Sequence, residues 1–85
     1  MDTKKEVLDI LDEVLSLKGR AAQFDLDTPL LGAVPELDSM AVVGLINMIE
    51  ERFGMIVEDD DVDGSTFETV GTLVAFVDSK FASSH

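Results

Sequence analysis

Few residues of this chain could do chemistry, and they can be named quickly. The 85 residues contain no cysteine, and the one histidine is His85. Disulfide scaffolds, zinc knuckles, thiol nucleophiles and redox motifs are thereby excluded, and no Ser-His or Cys-His pair can be held in a rigid site. Two carboxylates working as acid and base need a cleft to hold them apart, and so short a bundle has little room for one. Two places remain. The first is Asp38-Ser39, an acid and a hydroxyl at the head of an apolar-patterned segment. No base stands near Ser39 in the sequence, so any reaction of its hydroxyl must be activated by another protein. The second is Asp59, Asp61, Asp63 and Gly64, which have the D-x-D-x-D-G spacing of a calcium loop. Position 12 of that loop would be Val70 instead of a bidentate Glu, and no long helix leads into it. The cluster therefore reads as incidental, with weak cation binding at Asp59, Asp61 and Asp63 at most and no true metal site.

Composition sets the class of partner. Eighteen acids against six bases give a net charge of −12. Nucleic acid and anionic membrane surfaces attract basic proteins, so neither is expected as a partner. Basic protein surfaces reached by electrostatic steering suit this charge, which also keeps a small protein soluble. At 46% hydrophobic residues the chain is too apolar to be a disordered tail. One domain over residues 1–85 is expected. The N-terminal MDTKKEVLDI has acids and no apolar h-region, so it does not read as a signal peptide, and no apolar run approaches the ~20 residues that span a bilayer. The expectation is a soluble, cytoplasmic protein.

The elements that must position these residues follow from hydrophobic periodicity. A first helix is predicted from Thr3, with Thr3 and Glu6 spaced as a capping box. Val7, Leu8, Leu11, Val14 and Leu15 supply its apolar stripe, and Asp9, Asp12 and Glu13 its wet face. Gly19 is the predicted stop. Residues 19–38 form a long connection containing Pro29, Gly32 and Pro35. It is apolar enough (Phe24, Leu26, Leu30, Leu31, Val34, Leu37) to be packed down on the helices, and its length suits a functional loop. A second helix begins at Asp38-Ser39, where either side chain or both could cap it. Val42, Leu45, Ile46, Ile49 and Phe53 make one face. Met40, Val43 and Met48 widen the apolar arc, which implies deep burial or a partner site. Gly54 ends this helix. Residues 58–64 hold one short helical turn at most. A last helix follows a Thr69 cap, with Val70, Leu73, Val74, Phe76, Val77 and Phe81 inward and Gly71 weakening it by about 1 kcal/mol. Residues 82–85 are expected to fray. The fold class is all-α: a small up-down bundle with one irregular crossover.

Leu37-Asp38-Ser39-Met40, then Val42, Leu45 and Ile49, then Glu50-Glu51-Arg52-Phe53-Gly54 give the chain a family likeness that extends over nearly its whole length. It resembles the acyl carrier proteins, with their D-S-L triplet and E-E-x-F helix end. The resemblance implies an acyl-carrier-like four-helix bundle of three longer helices and a short third one. It implies that Ser39 accepts 4′-phosphopantetheine from coenzyme A, donated by a separate phosphopantetheinyl transferase. The arm's thiol would then hold acyl groups as thioesters, and the chain itself would be non-catalytic. A phosphodiester on Ser39 would sit at a helix N-terminus, which favours negative charge by ~0.3–1 kcal/mol at an exposed site. Asp38 takes the position of the family's transferase-recognition Asp. Met40, Val43, Asn47, Glu50 and Glu51 take positions that meet partner enzymes, of the acyltransferase, ligase and ketosynthase types. Val42, Ile46, Phe53, Val62, Leu73 and Phe76 could line an acyl pocket. The implied setting is fatty-acid, polyketide or related lipid and exopolysaccharide biosynthesis, by a free-standing monomer. The chain departs from the family where Ala41 and Gly44 replace acids near the serine and Arg52 is basic. The negative charge lies instead at residues 58–63, which points to specialised partners that read a more apolar helix. Two rivals stay open. A peptidyl carrier shares the serine but usually has a G-G-x-S lead-in, absent here, and a cofactor-free acidic helical adaptor would use Ser39 only as a cap.

Overall fold

A computed structural model describes residues 3–84, apart from the side chains of Asp59, Ser83 and Ser84. Helix α1 spans Thr3–Leu15, α2 spans Ser39–Phe53 and α3 spans Val70–Ser84. Short 3₁₀ turns lie at Arg20–Gln23, Asp59–Asp61 and Gly64–Phe67. The only β-type pairing among the described residues is an isolated antiparallel bridge between Pro29 and Thr69. The all-α class is as expected, and the short third helix is two 3₁₀ turns.

Helix α1 buries Val7, Ile10, Leu11 and Leu15, while Leu8 and Val14 are half-buried at the edge of the stripe. Its end differs from expectation. Ser16 adopts φ 54° and turns the chain, and the Leu17 N–H reaches back to the Asp12 carbonyl at 3.0 Å. This is a Schellman closure with a serine in the left-handed position that glycine usually takes. Leu17 is only 1% exposed, so its burial holds a turn that propensity disfavours. Gly19, the predicted stop, instead opens the 3₁₀ turn at φ 90°. The predicted Thr3–Glu6 box gives way to tertiary contacts: the Thr3 hydroxyl donates to Asp78 of α3, and Glu6 pairs with Arg52 of α2.

The long connection is strapped to the start of α3 by main-chain hydrogen bonds. Leu30 N–H donates to the Glu68 carbonyl (2.9 Å) and Leu31 N–H to that of Phe67 (3.0 Å). In return Val70 N–H donates to Thr28 (3.0 Å) and Gly71 N–H to Leu26 (2.8 Å). These bonds satisfy backbone groups that a structureless loop would leave unpaired. Leu30, Val34 and Leu37 join the core, whereas Leu26 and Leu31 remain exposed despite the expectation that the loop packs down. Gly71 is required by this contact, since a Cβ there would lie 2.8 Å from the Leu26 carbonyl oxygen.

The acidic segment caps instead of propagating a helix. Asp61 accepts from the Glu58 N–H at 2.9 Å, and Asp63 Oδ1 accepts from the N–H groups of Ser65 (2.9 Å) and Thr66 (3.3 Å). Asp and Ser compete for local backbone donors in this way, which breaks the segment into two short turns. Helix α3 has a reciprocal cap: Thr69 Oγ1 accepts from Thr72 N–H (3.1 Å), and Thr72 Oγ1 accepts from Thr69 N–H (3.0 Å). Val70, Leu73 and Val77 are fully buried, and Phe81 meets Phe53 edge to face at 5.9 Å. The helix runs through Ser84, and His85 lies outside the described residues.

Candidate functional site at the head of α2

Asp38 and Ser39 divide the labour that the sequence left ambiguous. Asp38 is extended (φ −120°, ψ −173°), and its Oδ1 accepts from the Ala41 N–H at 2.8 Å. Its carbonyl accepts from the Val42 N–H at 2.9 Å. Asp38 is therefore the cap, worth about 1 kcal/mol to the helix. Ser39 is the first helical residue, exposed, and its hydroxyl has no hydrogen-bond partner among the described residues. The first four N–H groups of a helix lack partners within it. The Val42 N–H makes the first main-chain helical bond, to the Asp38 carbonyl, and the Asp38 carboxylate takes the Ala41 N–H, which leaves the Ser39 and Met40 N–H groups open beside the hydroxyl. An exposed oxygen nucleophile beside two backbone donors fits a phosphodiester. The Asp38 carboxylate, turned onto Ala41, adds negative charge at the same spot and offsets part of the dipole's attraction.

Arg20 and Glu36 steady the approach to the site, and neither has a sequence signature. Arg20 pairs with Glu36, three residues before Ser39, while its Nε donates to the Leu17 carbonyl at 3.1 Å. The Arg20 hydrogen bond holds the Glu36 carboxyl below its ordinary value.

The expected partner-contact residues fall into two groups. Met40 (79% exposed), Val43 (55%), Asn47 and Glu51 face solvent. Glu50 is half-buried and its Oε2 accepts from the Val57 N–H at 2.8 Å, so it braces the turn after α2. Arg52, out of place by family pattern, clamps α2 to α1 through Glu6 (3.1 Å) and Glu13 (3.8 Å). Gly44 permits that close helix approach, since a Cβ there would lie 3.2 Å from Val14 Cγ1. Sequence reading missed Ile56, which stands 70% exposed just past α2.

Of the six residues suggested for an acyl pocket, Phe53 and Leu73 are buried, and Val42, Ile46, Val62 and Phe76 pack half-buried against the same core. An open groove of about 470 Å³ lies elsewhere, between α1 and the first 3₁₀ turn, with Lys4, Leu8, Asp12 and Ala21 in its walls. It shares no residue with that set. At the acidic segment, Asp61 is spent on Lys80 (2.7 Å) and Asp63 on its cap. Among the described residues no group of three or more His, Cys, Asp or Glu could hold a metal ion, and the Asp59 side chain lies outside them. No helix among the described residues is long and apolar enough to cross a membrane.

Residues 5–77 match the family described as the phosphopantetheine attachment site. The fold matches the solution NMR structure of a holo acyl carrier protein from Nitrosomonas europaea, with TM-score 0.89 and 44% identity over 96% of this chain and 99% of that one. Among curated protein sequences none matches. The chain belongs to the acyl carrier protein family, a non-catalytic class whose working group is a covalently attached 4′-phosphopantetheine.

Proposed function

We propose that this protein is an acyl carrier and that Ser39 is its attachment residue. The observation that supports this reading best is the free Ser39 hydroxyl at the first position of α2, left exposed because Asp38 performs the capping. A separate phosphopantetheinyl transferase activates that hydroxyl. The Ser39 oxygen attacks the coenzyme A phosphorus nearest pantetheine, the pyrophosphate bond breaks, the hydroxyl proton passes to the transferase, and 3′,5′-ADP leaves. The group so attached supplies a thiol that carries acyl units as thioesters. The open Ser39 and Met40 N–H groups face the new phosphodiester charge, and Asp38 holds the helix start in register for the transferase while serving as its recognition carboxylate. Met40, Val43, Asn47 and Glu51 meet the enzymes that load and use the carrier, of the acyltransferase, ligase and ketosynthase types. Val42, Ile46, Val62 and Phe76, half-buried around Phe53 and Leu73, are the side chains that would part to shelter an acyl chain. A monomer serving a dedicated cytoplasmic pathway of fatty-acid, polyketide or related lipid and exopolysaccharide synthesis suits an α2 with few acids near Ser39.

The test is intact mass after incubation with coenzyme A, magnesium and a broad-specificity transferase, with Ser39→Ala alongside. Wild type is expected to gain one phosphopantetheine and the variant none. Gain by both, or by neither with both correctly folded, removes Ser39 from the role and favours a cofactor-free adaptor.

A further inference from the structure

The open groove beside α1 has no part in the carrier reading, and its charges are ordered along its length. Lys4, Leu8 and Asp12 recur every fourth residue and so form one row at the edge of the buried stripe of α1. Gly19, Ala21 and Ala22, brought alongside by the first 3₁₀ turn, make the opposite wall, and their small size leaves room between. Leu8 is half-buried and Ala21 buried, which gives the groove an apolar floor. Its volume of about 470 Å³ suits a small organic ligand. Of the six bases in the chain, Arg20, Arg52 and Lys80 pair with carboxylates, and Lys5 is engaged as well. Lys4 and Lys18 have no carboxylate partner among the described residues, on a chain with eighteen acids. Lys18 is exposed and is not in the groove wall, whereas Lys4 is a half-buried part of it. The opposite end of the row is acidic. Asp12 Oδ1 accepts from the Gly19 N–H at 3.1 Å, and Asp9 stands beside it.

We propose that this groove binds a straight-chain monocarboxylate of about eight carbons, its head on the Lys4 ammonium and its chain over Leu8 and Ala21 toward Asp12. The site does not involve Ser39, so it stands or falls apart from the attachment reading. Charge matching selects the occupant. A half-buried ammonium without a carboxylate gains from an anion that brings a charge-assisted hydrogen bond. The carboxylates of Asp9 and Asp12 repel a second anionic group at the far end, so the ligand carries one charge and an uncharged tail. The net charge of −12 disfavours polyanions and anionic membrane surfaces in the same way. Length follows from the helix: Lys4 to Asp12 is roughly 12 Å of α1, and eight carbons in an extended chain span roughly 9 Å. Burying that chain on Leu8 and Ala21 is the apolar share of the binding. The ligand is the free acid of an acyl group, held outside the core with no covalent bond.

The test is NMR of the full chain with amide and methyl labels, titrated with sodium octanoate. The expected result is saturable shifts centred on Leu8, Ala21 and Ala22, with a Kd of about 1 mM. Lys4→Gln should weaken binding at least about fivefold, and Lys4→Arg should restore it. Ala22→Leu, at an exposed position, should fill the groove and weaken binding at least about tenfold. Neither change touches the core, so both variants are expected to keep the wild-type circular dichroism. Octanedioate brings a second carboxylate to the Asp12 end and 1-octanol lacks the anion, so each should bind at least about fivefold more weakly than octanoate. Shifts centred on Val42, Ile46, Val62 and Phe76 would put the chain in the core and overturn the proposal. No saturation by about 20 mM, or an octanoate affinity unchanged in Lys4→Gln, would overturn it as well. So would octanol or octanedioate binding as tightly as octanoate. Vesicles of anionic phospholipid should leave the groove signals in place; the same shifts with vesicles would assign the groove to a membrane surface instead.

Discussion

Gly71→Ala separates local propensity from tertiary contact. Gly71 is the second residue of α3, and helix propensity alone expects alanine to stabilise that helix by up to ~1 kcal/mol. The structure reverses the sign. The added Cβ would lie 2.8 Å from the Leu26 carbonyl oxygen, far inside contact distance, and that oxygen is a backbone atom held by the Gly71 N–H at 2.8 Å. Its neighbour Thr28 is held in turn by the Val70 N–H at 3.0 Å, so the strap has little freedom to retreat. Overpacking of this kind costs ~1–3 kcal/mol, and losing the hydrogen bond adds ~0.5–1.5 kcal/mol. Against the propensity gain, the net loss is about 2 kcal/mol, or about 10 °C in Tm for a domain of this size. Urea and thermal unfolding followed by circular dichroism would measure it. Gly64→Ala serves as the comparison, because nothing lies within 4 Å of a Cβ at Gly64, and its change should stay within about 0.5 kcal/mol. Amide exchange at Leu30, Leu31 and Gly71 should quicken in Gly71→Ala beyond what global destabilisation explains, as the strap lifts. A Tm equal to or above wild type would refute the reasoning, because it would mean the strap yields without loss.

Three further outcomes follow from the same contacts. Asp38→Ala should lose about 1 kcal/mol of stability with the cap, while Asp38→Asn, which keeps an acceptor oxygen, should lose little; equal losses would show that the cap is not what Asp38 contributes. The hydrogen bond from Lys80 lowers the Asp61 carboxyl from its ordinary value of 3.8. A lowered folded-state value means stability that is present above the unfolded value and lost as pH falls through the folded one. The stability difference between wild type and Asp61→Asn should thus be level from about pH 7 to 5 and shrink below about pH 4, and a difference that grows on acidification contradicts the pairing. Because a charge of −12 repels itself within 85 residues, raising NaCl from about 20 to 300 mM should raise Tm, and a fall would mean that the ion pairs outweigh the repulsion.

The serine at the head of α2 was legible because its signals are local. A helix cap is read from Asp38 and the residues just after it, the periodicity of α2 from its own turns, and Gly54 as a stop from its position after Phe53. The Gly54 expectation holds: it sits at φ 65° and Met55 N–H closes onto the Glu50 carbonyl at 3.1 Å. The same kind of signal failed at the end of α1, where the burial of Leu17 holds Ser16 in a conformation its side chain does not favour. At residues 58–64 the expectation of one short helical turn at most holds, with a 3₁₀ turn at Asp59–Asp61, and carboxylates that catch the nearest N–H groups separate it from a second turn at Gly64–Phe67. Arg52 read as a break in an acidic docking face, yet its partners Glu6 and Glu13 lie more than thirty residues away on α1. Ile56 carried no periodic signal because it lies outside the helices.

The amino-acid sequence by itself determined the three helices, the net charge of −12, the lack of cysteine and of any histidine before residue 85, and a serine at a helix head. Each of these depends on residue type and on neighbours within about a turn or two. Tertiary structure decided which of Asp38 and Ser39 caps and which stays free, which charges of α2 face inward, why residue 71 must lack a Cβ, and which apolar side chains outside the core reach solvent. Those outcomes depend on backbone atoms brought within hydrogen-bonding or contact distance from remote parts of the chain, and no local pattern encodes such distances.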